Sequence, residues 1–206
     1  MGVGSCSGSK PEILYSEAEL FVVDDRTTGE RYESIRLYVA VNDGDGVDDI
    51  GVVYVDHADE QLYWEFDEST WVRTEFAGDN WIGMPDIRMA DGSPLPRGRY
   101  RVIVEDRALQ RVQGQFSITA DPIDPAALEF PRLVTSPNLV VVADNPVVLR
   151  VYSRSGQMPV NGQIAPGAVP ADLLQQLPNE SGLTAYLTMR GDDGVRLISG
   201  PYAIPR

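Results

Sequence analysis

The residues best suited to chemistry lie in the run Asn42-Asp43-Gly44-Asp45-Gly46-Val47-Asp48-Asp49. Closely spaced carboxylates let a short loop wrap a hard cation, and the glycines permit the tight turn such a loop needs. Asp43, Asp45, Asp48 and Asp49 are therefore the candidate metal ligands, with calcium the one candidate cofactor. The same composition also suits a plain strand-connecting loop in which Asp and Gly serve turn geometry. A second constellation is aromatic: Trp64, Trp71 and Trp81 fall close together, alongside Tyr63, Phe66 and Phe76. Trp64 shares parity with Leu62 and Phe66 and is expected in a core. Trp71 and Trp81, beside Arg73 and Asn80, are expected to be partly exposed, and Trp71, Trp81 and Arg73 form the candidate ligand-binding group. Aromatic rings offer flat apolar area for a sugar ring when exposed and fill cores when buried, and burial is their commoner fate.

Catalysis finds little footing. The chain has one His and one Cys, too few for a multi-histidine metal site, an internal disulfide or a zinc knuckle. His57 sits among Asp56, Asp59 and Glu60 on a polar tip and is expected to be solvated. There is no phosphate-cradling loop. Gly4-Ser5-Cys6-Ser7-Gly8 imitates a nucleophile elbow, but no strand leads into it. The 31 acidic residues supply many carboxylate pairs, and nothing selects one pair for hydrolytic work. The expectation is a protein that is not an enzyme. A net charge of −14 repels a polyanion and argues against nucleic-acid binding. The charge is uneven, since residues 37–72 hold ten carboxylates and no Lys or Arg. That stretch serves as a solvated, aggregation-resistant surface, or else attracts a cation or basic partner.

The elements that position these residues read as short strands. In Ser34–Val41, the residues Ile35, Leu37, Val39 and Val41 point one way and Arg36, Tyr38 and Ala40 the other, the period of two that marks a half-buried strand. Ile50–Val55 and Gln61–Phe66 flank the tip 56–60 as a hairpin. Trp71–Phe76, Arg99–Glu105 and Val112–Ile118 follow. Residues 13–120 are thus expected to form an antiparallel β-sandwich, behind a flexible tether at 1–12. Residues 121–127, rich in Pro and Asp, read as a linker. Beyond it, 128–206 are expected to form a smaller, mostly-β second domain. Its strands are Leu139–Val142, Val147–Tyr152, Leu183–Met189 and Val195–Ile198, and its one short helix is Pro170–Leu177. No run of eighteen apolar residues is present, so no helix spans a membrane.

Four local patterns resemble known families. Leu95-Pro96-Arg97-Gly98-Arg99-Tyr100-Arg101-Val102-Ile103-Val104-Glu105-Asp106 resembles the penultimate-strand motif of fibronectin type III and bacterial immunoglobulin-like domains. The resemblance implies that Tyr100 bonds back to the preceding loop. Asp43-Gly44-Asp45-Gly46-Val47-Asp48-Asp49 is similar to the core of thrombospondin type 3 calcium repeats, and implies Asp43 and Asp45 as side-chain ligands with Asp48 or Asp49 completing the set. The family's first Asp falls on Val41, and no bidentate Glu follows. Val3-Gly4-Ser5-Cys6 resembles the lipobox of bacterial lipoproteins, with Ser7-Gly8-Ser9 as the tether. That implies lipidation of Cys6, an apolar segment ahead of Met1, and membrane attachment through the lipid alone. Arg190-Gly191-Asp192 resembles the integrin-binding tripeptide, but Gly-Asp-Asp-Gly is ordinary hairpin chemistry.

Together these readings give a non-enzymatic protein of the bacterial envelope, periplasmic or surface, lipid-anchored. It would act as an adhesion, assembly or ligand-presenting module with a protein or glycan partner. The alternative is a calcium-dependent carbohydrate-binding module.

Overall fold

The computed structural model describes residues 8–191 and 195–205. Cys6, the expected lipidation site, and Asp192 of the Arg-Gly-Asp tripeptide lie outside the described residues. The chain is all-β, with antiparallel-rich sheets and one short helix. In chain order the strands are β1 (Glu12–Asp25), β2 (Arg31–Asn42), β3 (Ile50–His57), β4 (Leu62–Asp67), β5 (Val72–Phe76), β6 (Asp79–Ile87), β7 (Gly98–Asp106) and β8 (Arg111–Ile118). They continue with β9 (Arg132–Val134), β10 (Val140–Val142), β11 (Val147–Tyr152), β12 (Val160–Ile164), β13 (Gly167–Ala168), helix α1 (Ala171–Gln175), β14 (Thr184–Arg190) and β15 (Arg196–Ala203).

Two compact units divide the chain. The first comprises residues up to Leu20, Ile35–Arg88 and Leu95–Pro122; the second comprises Phe21–Ser34, Met89–Pro94 and Ile123–Arg206. A single cut near residue 121 was the sequence expectation, whereas Phe21–Ser34 group with the C-terminal part. The reason lies in β1. It is fourteen residues long, and its second half pairs in parallel with β15, Phe21 opposite Arg196 through Asp25 opposite Gly200. A strand pairing between chain ends leaves no local mark in the sequence.

In the first unit one sheet runs β4-β3-β7-β8 and another runs β1-β2-β6-β5. The period of two in β2 is realised: Ile35, Leu37 and Val39 are fully buried, as are Val53 and Val55 of β3, Val102 and Val104 of β7, and Ile82 and Met84 of β6. Removing an aliphatic side chain of this size from water stabilises the fold by about 1.5–3 kcal/mol each. The β5–β6 hairpin turns at Ala77-Gly78 with φ of 55° and 88°, the doubly positive geometry that matches strand twist. Tyr100 donates its hydroxyl to the Pro96 carbonyl at 2.7 Å, the bond its motif implies.

In the second unit β12-β11-β14-β15 lie side by side and a small sheet runs β13-β10-β9. Helix α1 follows Pro170, and Leu173, Leu174 and Leu177 line a small apolar pocket with Leu149, Val151 and Ile204.

Candidate functional site

The acidic run closes as a tight loop between β2 and β3. The Gly46 N–H donates to the Asp43 carbonyl at 3.0 Å and the Asp49 N–H to the Gly46 carbonyl at 2.9 Å, with Gly46 at φ 99°. The Asp45 N–H donates to Asp43 Oδ1 at 3.0 Å. These bonds fold the backbone inward, so that Asp43, Asp45 and Asp49 each bring a carboxylate oxygen within 4.8 Å of the others. Asp48 does not join them. Its side chain is 90% exposed and paired with Arg73, because the 3₁₀ turn Val47–Asp49 sends adjacent side chains in different directions. The expected four-carboxylate set thus loses Asp48.

A fourth carboxylate comes from elsewhere. β3 pairs with β7 so that Ile50 stands opposite Asp106, which sets Asp106 beside Asp49. Asp106 is 1% exposed. Its Oδ1 accepts the Gln110 N–H at 2.7 Å, while its Oδ2 is buried with no partner, as is Oδ2 of Asp43. A buried oxygen left without a donor is costly; Asp106 stands outside the three carboxylates that converge within 4.8 Å and acts on them as a neighbouring charge on Asp49. Burial, then the charges of Asp106, Asp43 and Asp45, push the Asp49 carboxyl above its ordinary range, with Arg107 acting the other way. In the sequence Asp106 is only the last residue of the strand motif at 95–106, with no tie to the acidic loop. It ends a strand far along the chain, and only the β3–β7 register brings it in.

The aromatic group does not assemble as expected. Trp71 is 6% exposed, because its backbone N–H donates to the Asp67 carbonyl at the close of a turn and the Arg73 guanidinium covers its ring at 5.8 Å. Register then separates Arg73 from Trp81. Arg73 lies opposite Ile82, whereas Trp81 lies opposite Thr74 and Ala40, so Arg73 shares the core-facing side and Trp81 the outer side. Arg73 serves as the partner of Asp48.

On that outer side Trp81 stacks on Tyr15, with ring centroids 6.5 Å apart and planes 16° off parallel. Tyr38 extends over Gly83, where an added Cβ would collide with its ring. Tyr15 is 62% exposed and Phe76 72%, so the face carries open aromatic surface.

Two other residues depart from expectation. His57 is buried rather than solvated: it is 2% exposed, its Nε2 bonds the Arg97 carbonyl at 3.0 Å, and its ring meets Tyr100 edge-on. Trp64 is half-buried and donates Nε1–H to the Arg88 carbonyl at 2.9 Å.

The second unit holds a cleft of about 400 Å³ lined by Asp24, Arg26, Arg31, Phe130, Arg132 and Asp144 among others. Asp24 pairs with both Arg26 at 3.2 Å and Arg31 at 3.1 Å, so much of its charge is neutralised internally. Among the described residues no helix is long and apolar enough to cross a membrane. Comparison with family models, curated proteins and solved structures returned no match.

Proposed function

We propose that this chain is a non-catalytic binding module whose first unit holds calcium in the Asp43–Asp49 loop, with Asp43, Asp45, Asp49 and Asp106 supplying the charge. The observation that carries this reading is the buried, unpartnered Oδ2 of Asp106 beside three carboxylates that converge within 4.8 Å. Carboxylate oxygens are hard donors, and a loop of this kind adapts to the six to eight ligands that calcium takes more readily than to the strict octahedron of magnesium. The setting we propose is the bacterial envelope. Cys6 would carry the anchor, and the module would present its surface to a protein or glycan. Isothermal titration of chelator-treated protein tests the cation: saturable calcium binding supports it, and a flat titration at millimolar calcium removes it.

One observation favours a second reading, that of a carbohydrate-binding module. The nearly parallel Tyr15–Trp81 pair offers a flat apolar platform of the type that accepts a pyranose face. A glycan array run with calcium and with chelator checks it. Binding that disappears in Trp81→Ala while the fold is retained supports the sugar; the absence of any reproducible ligand refutes it.

A further inference from the structure

The seat of the proposed cation already has an occupant from the chain itself. Ser9 lies on the acidic loop: its N–H donates to Asp45 Oδ2 at 2.6 Å, and its hydroxyl reaches Asp43 Oδ1 at 2.9 Å and Asp45 Oδ2 at 3.3 Å. Gly44 lies directly beneath, where a Cβ would strike the Ser9 hydroxyl. The preceding residue is held as well, since Gln110 Nε2 donates to the Gly8 carbonyl at 2.7 Å. The same Gln110 donates its backbone N–H to Asp106 Oδ1. One residue therefore ties the floor of the acidic site to the segment that covers it.

We infer that Gly8–Ser9 is a strap that stands in for the cation, so that calcium and the strap compete for the same carboxylate oxygens. The inference rests on the cation reading above and adds its regulation. Without a cation, the converging carboxylates attract whatever hydrogen-bond donors are within reach, and donors to ionised oxygens make the stronger class of hydrogen bond. Ser9 supplies two such donors. Calcium requires oxygen lone pairs at about 2.3–2.6 Å. A divalent ion seated between Asp43 and Asp45 repels the N–H and O–H hydrogens now directed at those oxygens. The two arrangements exclude each other, and binding of the ion releases Ser9. Gln110 makes the exchange concerted, because any shift of Asp106 toward the ion pulls on the residue that holds Gly8. In a chain anchored ahead of Gly8, calcium would then set how far the first unit stands from its anchor.

The test uses the full chain and two graded variants. Ser9→Ala removes the hydroxyl alone, and Ser9→Pro removes both donors; neither touches a core position. Calcium affinity by isothermal titration is expected to rise in the order wild type, Ser9→Ala, Ser9→Pro, reaching about tenfold for the last, equivalent to about 1.4 kcal/mol. Hydrogen–deuterium exchange on the wild type is expected to show the Ser9 amide losing protection when calcium is added, while the Gly46 amide, which donates to the Asp43 backbone carbonyl rather than to a carboxylate oxygen, keeps its own. If wild type binds calcium but the variants bind equally or more weakly, and Ser9 gains protection, the strap is a ligand or a bystander and the competition is overturned. If wild type binds no calcium, the cation reading fails first and the strap proposal falls with it.

Discussion

Replacing Asp106 by Asn probes the acidic site at its most informative atom. The substitution keeps the shape of the side chain and the Oδ1 acceptor for the Gln110 N–H. It exchanges the buried, unpartnered Oδ2 for an amide that can donate to the neighbouring carboxylates. An unsatisfied buried acceptor costs about 1–3 kcal/mol. Taking the lower end, Asp106→Asn is expected to stabilise the cation-free protein by about 1 kcal/mol, a rise in Tm of about 2–4 °C for a chain of this size. Calcium reverses the ranking. Wild type at a calcium concentration a hundredfold above its Kd gains about 2.7 kcal/mol, or about 5–11 °C by the same conversion. The variant has lost one neighbouring charge and gains little. Thermal melts in chelator and in calcium therefore cross: the variant is the more stable in one and the less stable in the other. A variant less stable than wild type in chelator, yet shifted equally by calcium, would refute both the orphaned-oxygen argument and the assignment of Asp106 to the site.

Other outcomes follow from the same geometry. The Asp49 carboxyl is held above its ordinary range by burial first, then by Asp106, Asp43 and Asp45. The folded state thus binds that proton more tightly than the unfolded state, and ionisation of Asp49 costs stability that is recovered as pH falls through the raised pKa. Denaturant melts in chelator are expected to show Asp49→Asn above wild type at neutral pH, with the gap closing on acidification. Tyr100→Phe removes the bond to the Pro96 carbonyl and is expected to lower unfolding free energy by about 1 kcal/mol; an unchanged denaturation midpoint would show the bond contributes nothing. Leu37→Ala empties a fully buried site and is expected to cost about 2–5 kcal/mol by chemical denaturation. Gly83→Val drives a side chain into the Tyr38 ring. It is expected to cost about 1–3 kcal/mol and to alter the near-ultraviolet circular dichroism of the aromatic face.

Much of the framework was legible from pattern, because a strand with one buried face writes its period of two into the residues themselves. β2, β3 and β7 could be read that way, and Ile35, Leu37 and Val39, Val53 and Val55, and Val102 and Val104 are buried as the alternation requires. β1 and β6 escape that pattern. β1 is buried only in its second half, and β6 interrupts its alternation with Gly83 and Pro85, so neither carries a clean signal. The corner bond of Tyr100 was implied by the resemblance of its strand to a known motif, not by spacing or alternation.

The acidic loop shows where local information stops. Sequence placed Asp43, Asp45 and Asp49 in one short loop rich in Asp and Gly, but an extended chain of that length spans about 20 Å, so their convergence within 4.8 Å comes from the folded turn. It could not separate Asp48, whose direction is fixed by a 3₁₀ turn and by Arg73 on a later strand. Nor could it supply Asp106 or the Ser9 strap, which arrive through the β3–β7 register and the path of the N-terminal segment. The pairing of Tyr15 with Trp81, and the parting of Trp81 from Arg73, are likewise consequences of strand register. Burial of one face is a property each strand carries alone. Which residues meet across strands depends on the free energy of the whole sheet, and that is settled only when the chain folds.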